Sequence, residues 1–206
     1  EVTTACQDSC PTNAITFDES DINTDVIYPA QFLRTIKKTG LGPYLFRSLR
    51  YDSEGNPVPD FIMNRKEYKQ ARIMLTGENF GSGSSREHAV WALMDENIRV
   101  LIGPDFADIF ANNATKNGLL LIRLPQKTVS DFVEISTQNP AAKYSVNLED
   151  QQVNVEGQTH HFEIDPFVKH CFLNGLDDIS LTLEHEDKIK AHEDRLKREK
   201  PWLIKE

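Results

Sequence analysis

Apolar residues in this chain fall into short blocks, and the spacing within and between the blocks predicts the elements. "ARIMLTGE" (71–78) clusters its apolar residues and ends on a glycine, which predicts a strand. "SREHAVWALMDEN" (85–97) places Ala89, Trp91 and Leu93 so as to predict a helix with one apolar side. "IRVLIG" (98–103) reads as a second strand. "PDFADIFANNATKNG" (104–118) reads as a helix, with Asp105 as its cap, Phe106, Ile109 and Phe110 as its apolar face, and Gly118 as its stop. "LLLIRLP" (119–125) is a third strand and "VSDFVEISTQNP" (129–140) a further helix. Strands alternating with helices in this way predict an α/β fold.

The pattern changes on either side. "KYSVNLEDQQVNVEGQTHHFEID" (143–165) alternates apolar and polar positions around two turn-like stretches, which predicts a β-meander. "PAQFLRTIKKTG" (29–40) opens on proline and closes on glycine, the punctuation of a short helix with Phe32, Leu33 and Ile36 on one face. "YDSEGNPVP" (51–59) is a turn-rich loop. "LEHEDKIKAHEDRLKREK" (183–200) is a charged helix with acid-before-base pairs four apart, from Glu184–Lys188 to Asp194–Arg198, and its simplest role is a solvated surface. No internal repeat or low-complexity segment interrupts the chain.

Composition narrows the classes. A chain of 206 residues with 39% hydrophobic and 27% charged residues can bury a real core. Its formal net charge of -9 argues against nucleic acid or an anionic membrane as a partner. No apolar run approaches bilayer length, and the start lacks the basic-then-apolar pattern of a signal peptide, so a cytoplasmic location is expected. Cys6, Cys10 and Cys171 are too few and too scattered for a disulfide framework, a zinc site or an iron–sulfur cluster, so free thiols are expected.

The candidate chemistry lies in "GENFGSGSSREHAVWAL" (77–93). It is not a P-loop, because no lysine follows the glycines. It is not a hydrolase elbow, because no serine has a glycine two positions away on both sides. As a dinucleotide fingerprint it would need its third glycine where Arg86 stands. What remains is a glycine-rich turn into a helix, an anion site by its exposed N–H groups and helix dipole, with Arg86 adding a planar fork suited to a carboxylate. In that setting a serine alkoxide comes within reach as a base. Local physics alone favours a plainer role for Ser84, the first position of a Ser84-x-x-Glu87 capping box. It likewise favours a structural role for His88.

Gly81-Ser82-Gly83-Ser84-Ser85-Arg86-Glu87-His88 resembles the G-x-G-S-S-R-E-H core of the aconitase-type swivelling domain. "DINTDVIYPAQFL" (21–33), "FLRTIKKTGLGPYLF" (32–46), "RYDSEGNPVPDFIMN" (50–64), "LTLEHEDKI" (181–189) and "PWL" (201–203) are similar to the small-subunit family of 3-isopropylmalate dehydratases. Asn23 stands where that family commonly has Asp, and Ser82 where many members have Cys.

The resemblance implies a swivelling β/β/α domain, with a mixed barrel-like sheet and a C-terminal helical tail. It implies a single domain over 1–206, with a mobile recognition segment at 32–64 and a charged tail at 183–206. It implies a hydro-lyase split over two chains, in which the [4Fe–4S] cluster sits on the large subunit and this chain holds no metal. The substrate would be a small hydroxy-diacid, interconverted between 2- and 3-isopropylmalate. Ser84 would be the base, supported by Asp25. Ser85, Arg86, Thr24 and Arg34 would bind substrate, and Gly81, Ser82 and Gly83 would form the anion-binding loop. A sister enzyme such as homoaconitase or a methylmalate or citraconate hydratase would share the same core. So would a non-catalytic anion-binding module that kept the fold.

Overall fold

In the computed structural model, residues 12–17, 19–34 and 36–203 are described, so Cys6 and Cys10 lie outside the described residues. The chain divides into two compact units, 1–175 and 176–206.

The first unit is built on a four-stranded parallel sheet: β1 (Ala14–Phe17), β2 (Ile73–Thr76), β3 (Val100–Gly103) and β4 (Leu120–Arg123), in that spatial order. β2 and β3 are buried at every position, as expected when both faces of a parallel sheet are covered. Alternation within the strands divides the core. Ile15, Phe17, Met74 and Leu101 face one hydrophobic cluster, built with the 22–71 stretch, which holds the short helices α1 (Thr24–Ile27) and α2 (Arg47–Arg50), and with α3 (Glu87–Asp95) and α4 (Asp108–Asn117). Ile73, Leu75, Val100, Ile102 and Ile122 face the other, built with α5 (Gln126–Gln138) and the meander. The meander is β5 (Tyr144–Asn147), β6 (Gln152–Val155) and β7 (Gln158–His161), antiparallel and in sequence order.

The α/β reading holds, and the alternating strands and helices fall where the apolar pattern puts them. The barrel-like sheet is corrected. Among the described residues there are two separate sheets and no closed barrel. A single antiparallel bridge joins them, with Thr12 N–H donating to Tyr144 O at 2.9 Å and Tyr144 N–H to Thr12 O at 2.8 Å.

Other expectations change in detail. The helix expected over 29–40 shrinks to one 3₁₀ turn, Ala30–Phe32. Ile36, assigned to its apolar face, is 94% exposed, and a short helix with no core beneath that face is marginal. Asp105 does not cap α4, which starts at Asp108; its carboxylate lies 3.5 Å from Arg123 Nε. Phe106 is buried ahead of the helix, and Ile109 is exposed. Gly118 does end α4, in the left-handed conformation at φ 80°. The 104–118 pattern therefore mixes an extended lead-in with the helix proper.

Two elements lie outside those expected from the sequence: β1, at the edge of the parallel sheet, and α6 (Pro166–Asn174), which follows the meander directly. α6 has the expected chemistry at both ends. Asp165 Oδ1 accepts from Phe167 N and Val168 N, Pro166 opens the helix, and Gly175 closes it in the left-handed region. The second unit holds α7 (Asp178–Leu183), capped by Asp177, and the charged α8 (Glu186–Glu199), which matches the helix expected for the tail.

Candidate active site

The Gly-Ser loop leaves the carboxyl end of β2, the end at which open α/β sheets present their ligand sites. On one side it runs beside residues 21–24. Asp21 N–H donates to Glu78 O at 2.9 Å, Gly81 N–H to Ile22 O at 2.7 Å, and Thr24 N–H to Ser82 O at 2.8 Å, with a parallel bridge between Asn23 and Ser82. Asn79 Nδ2 also donates to Asp21 Oδ1 at 2.7 Å. On the other side Phe80 bridges to Phe106, and Ala107 N–H donates to Phe80 O at 3.0 Å. The loop is thus clamped from both flanks.

Glycine is required at position 81. Its φ is +83°, and a Cβ there would fall 2.2 Å from the Phe110 ring. The close approach lets the backbone turn over α4 and deliver residues 82–86 to the start of α3.

The capping-box expectation is corrected. α3 begins at Glu87, and the cap position belongs to Arg86, which makes no side-chain cap bond. Ser84 lies two residues earlier, exposed, beside exposed Ser85. The Glu87 carboxylate instead accepts from Asn117 Nδ2 at 2.7 Å. Ser84 therefore takes no part in capping the helix.

Arg86 and Asp25 form an ion pair through Nη1 and Oδ1. The Arg86 side chain is only 13% exposed and that of Asp25 is 55% exposed, so the pair is closed on the protein side and open on the other. Nη1 is enclosed, with Asp25 as its ion-pair partner. Asp25 is set by Asn23, whose Oδ1 caps α1 (Thr24–Ile27) by accepting from Asp25 N at 3.0 Å and Val26 N at 2.9 Å. Asn23 in the family's usual Asp position thus does a capping task that either residue performs.

Thr24 is buried, and its hydroxyl donates to Ser84 O at 3.1 Å. Its side chain holds the serine's backbone from below. Thr24, Asp25, Gly81, Ser82, Gly83, Ser84, Ser85 and Arg86 come together as one group. Arg34 stands outside that hydrogen-bonded group, exposed in the connection after the turn at Ala30–Phe32. His88 has the structural placement expected of it, its ring 5.8 Å from Tyr28 and 4.7 Å from Trp91. Tyr28 is fully buried; that burial, and then the neighbouring Tyr44, push its phenol above the ordinary tyrosine range, and its OH donates to Phe32 O.

The asparagine at 117 was not foreseen. Its Oδ1 accepts from Trp91 Nε1 at 2.9 Å and from Lys38 Nζ at 3.0 Å, while its Nδ2 serves Glu87, so it fastens α4 to α3 beside the site. Nothing in its local sequence separates it from an ordinary polar residue in a helix's last turn.

The described residues gather no group of three or more His, Cys, Asp or Glu side chains able to hold a metal. None of the described helices is long and apolar enough to cross a membrane.

Fold and loop together define the class, an aconitase-type C-terminal domain: residues 12–127 match the aconitase C-terminal domain family, and residues 178–205 match the C-terminal domain of the 3-isopropylmalate dehydratase small subunit. The chain is 51% identical over 184 residues to the 3-isopropylmalate dehydratase small subunit of Ruegeria sp. (strain TM1040), covering 89% of this chain and 92% of that one. It is 50% identical, with the same coverage, to the small subunit from Parvibaculum lavamentivorans. The crystal structure of 3-isopropylmalate dehydratase from Methanocaldococcus jannaschii shares the fold, with a TM-score of 0.62 at 24% identity over 89% of this chain and 98% of that one. The chain belongs to the family of 3-isopropylmalate dehydratase small subunits.

Proposed function

We propose that this chain is the small subunit of a hydro-lyase that interconverts 2- and 3-isopropylmalate through isopropylmaleate, in leucine biosynthesis. The observation that carries the reading is the Arg86 guanidinium. It is largely enclosed by protein, paired with Asp25, still partly open to solvent, and adjacent in the chain to exposed Ser84 and Ser85. A substrate carboxylate arriving from the open side meets the part of the guanidinium that faces solvent.

In this reading Ser84 removes the proton from the carbon beside that carboxylate. The electrons of the C–H bond become the new double bond as the neighbouring hydroxyl departs, and the proton ends on Ser84 Oγ. The serine can act as a base because the amino-terminal end of α3 and the Arg86 charge stabilise its alkoxide. Charge that builds on the substrate carboxylate during proton removal falls on Arg86, which binds the transition state more strongly than the ground state. Thr24 keeps Ser84 in place through its carbonyl, and Ser85 helps hold the substrate. The 32–46 segment, with Arg34 in it, meets the substrate's side group.

The described residues do not build a metal site, so no step is assigned to a cluster in this chain. Polarisation of the departing hydroxyl belongs to the [4Fe–4S] cluster of the large subunit. The test is reconstitution. The chain alone should turn over no 2-isopropylmalate, and adding the cluster-loaded large subunit without oxygen should produce isopropylmaleate absorbance that saturates at one-to-one. Turnover by this chain alone would reject the reading.

A further inference from the structure

We propose that Asp95 is a positioning residue for substrate discrimination: it fixes the 38–46 stretch against the helix that carries Arg86. The proposal rests on the reading above, in which the 32–46 segment meets the substrate's side group.

α3 has the Gly-Ser loop at one end and Asp95 at the other. A helix of this length is a stiff rod about 14 Å long. Asp95 Oδ2 accepts two backbone hydrogen bonds, from Leu41 N at 2.8 Å and Gly42 N at 2.7 Å. Both are charge-assisted and short. An acid at the carboxyl end of a helix opposes the helix dipole, so this position is unfavourable for the helix itself. The gain comes from the segment it grips.

The grip is reinforced on both sides. Glu96 pairs with Arg50, with Oε1 3.0 Å from Nη1 and Oε2 3.4 Å from Nη2, and Arg50 Nη1 donates to Gly42 O at 3.2 Å. Gly42 packs so closely that a Cβ would lie 2.7 Å from Glu96 Oε1. One turn back along α3, the Lys38 ammonium lies 5.3 Å over the Trp91 ring, and both side chains donate to Asn117. Leu41, Leu45 and Phe46 are buried, and Tyr44 stacks on Phe32 at 4.4 Å between ring centres. Leu33, Arg34 and Ile36, by contrast, are exposed. The segment has a fixed root and an open crest. Its root sits on the same rod as Arg86, so the distance from crest to carboxylate grip is set through Asp95.

The test uses this chain reconstituted with its large subunit. kcat and KM are measured for 2-isopropylmalate and for the analogue with methyl in place of isopropyl. Asp95→Ala should raise KM for the isopropyl substrate and lower the isopropyl-to-methyl ratio of kcat/KM on the order of 10-fold, the scale on which pockets sort alkyl groups. Asp95→Asn keeps an oxygen that accepts both N–H groups and should restore most of the ratio. Gly42→Ala disturbs the same root from the other side and should lower the ratio as well. A merely structural role would cut both substrates equally and leave the ratio unchanged, and that result overturns the proposal. Leu33→Ala separates the two readings. If it lowers the ratio while Asp95→Ala and Gly42→Ala do not, recognition by the segment stands and the role of Asp95 falls. If Leu33→Ala and both root variants leave the ratio unchanged, the recognition reading and the proposal fall together.

Discussion

Ser84 and Arg86 are two residues apart and have opposite relations to the protein, one exposed and one enclosed. That contrast makes their substitutions read differently. Arg86→Lys keeps the charge and loses the planar two-point grip on a carboxylate. It should lower kcat/KM by roughly 10²-fold in the reconstituted enzyme. Near-normal kinetics in a folded Arg86→Lys chain would show that Arg86 does not hold the carboxylate. Ser84→Ala should leave thermal stability within about 1 kcal/mol, because the helix cap lies at Arg86 and not at Ser84. Its kcat should fall by about 10²-fold or more, the usual contribution of a positioned base. A Ser84→Ala enzyme that melts early and turns over normally would reverse the assignment. The serines, the arginine and the glycines of the loop could be picked out from their residue types alone as a candidate anion site. The partnership of Asp25 with Arg86 was not, because it depends on two stretches far apart in sequence lying side by side.

α3 and α4 show why some elements could be read and others could not. β2, β3 and β4 are fully or nearly buried runs bounded by glycine or charge, so apolar clustering found them. The 29–40 stretch has helix punctuation at both ends, but distant groups hold it: Asn117 takes the Lys38 ammonium, and Asp95 takes the N–H groups of Leu41 and Gly42 just beyond its end, which local pattern cannot register. α6 carried an Asp-Pro start and an Asn-Gly stop that a closer reading of caps would have caught. The contact between α3 and α4 rests in part on Asn117, whose side chain serves Trp91, Lys38, Glu87 and the Asn113 carbonyl. Asn117→Ala leaves the Trp91 N–H without this acceptor and should destabilise the chain by about 2 kcal/mol in chemical denaturation. A loss below about 0.5 kcal/mol, the level of an ordinary surface change, would show that the helices hold together without it.

Among the described residues, both hydrophobic cores are built from the first unit. The proposed catalytic group sits in that unit too, while the match to the small-subunit family's own C-terminal domain lies in the second. In the proposed function the small chain supplies a carboxylate grip and a base, and the reconstitution experiment asks whether the rest of the chemistry arrives with the large subunit. If it does, oxygen should end turnover without unfolding this chain, since the group it attacks lies on the partner. The clamp between residues 21–24 and the Gly-Ser loop also has a consequence in time. Thr24 and Ser84 are 60 positions apart, and closing so long a stretch is slow compared with pairing β2, β3 and β4 through single intervening helices. On the ribosome Asp25 is made first and waits without Arg86 until β2 and α3 have followed. A chain in which only β2, β3 and β4 have paired therefore lacks the 21–24 flank of the loop, and the site closes in the same step that brings β1 and residues 22–46 onto the core.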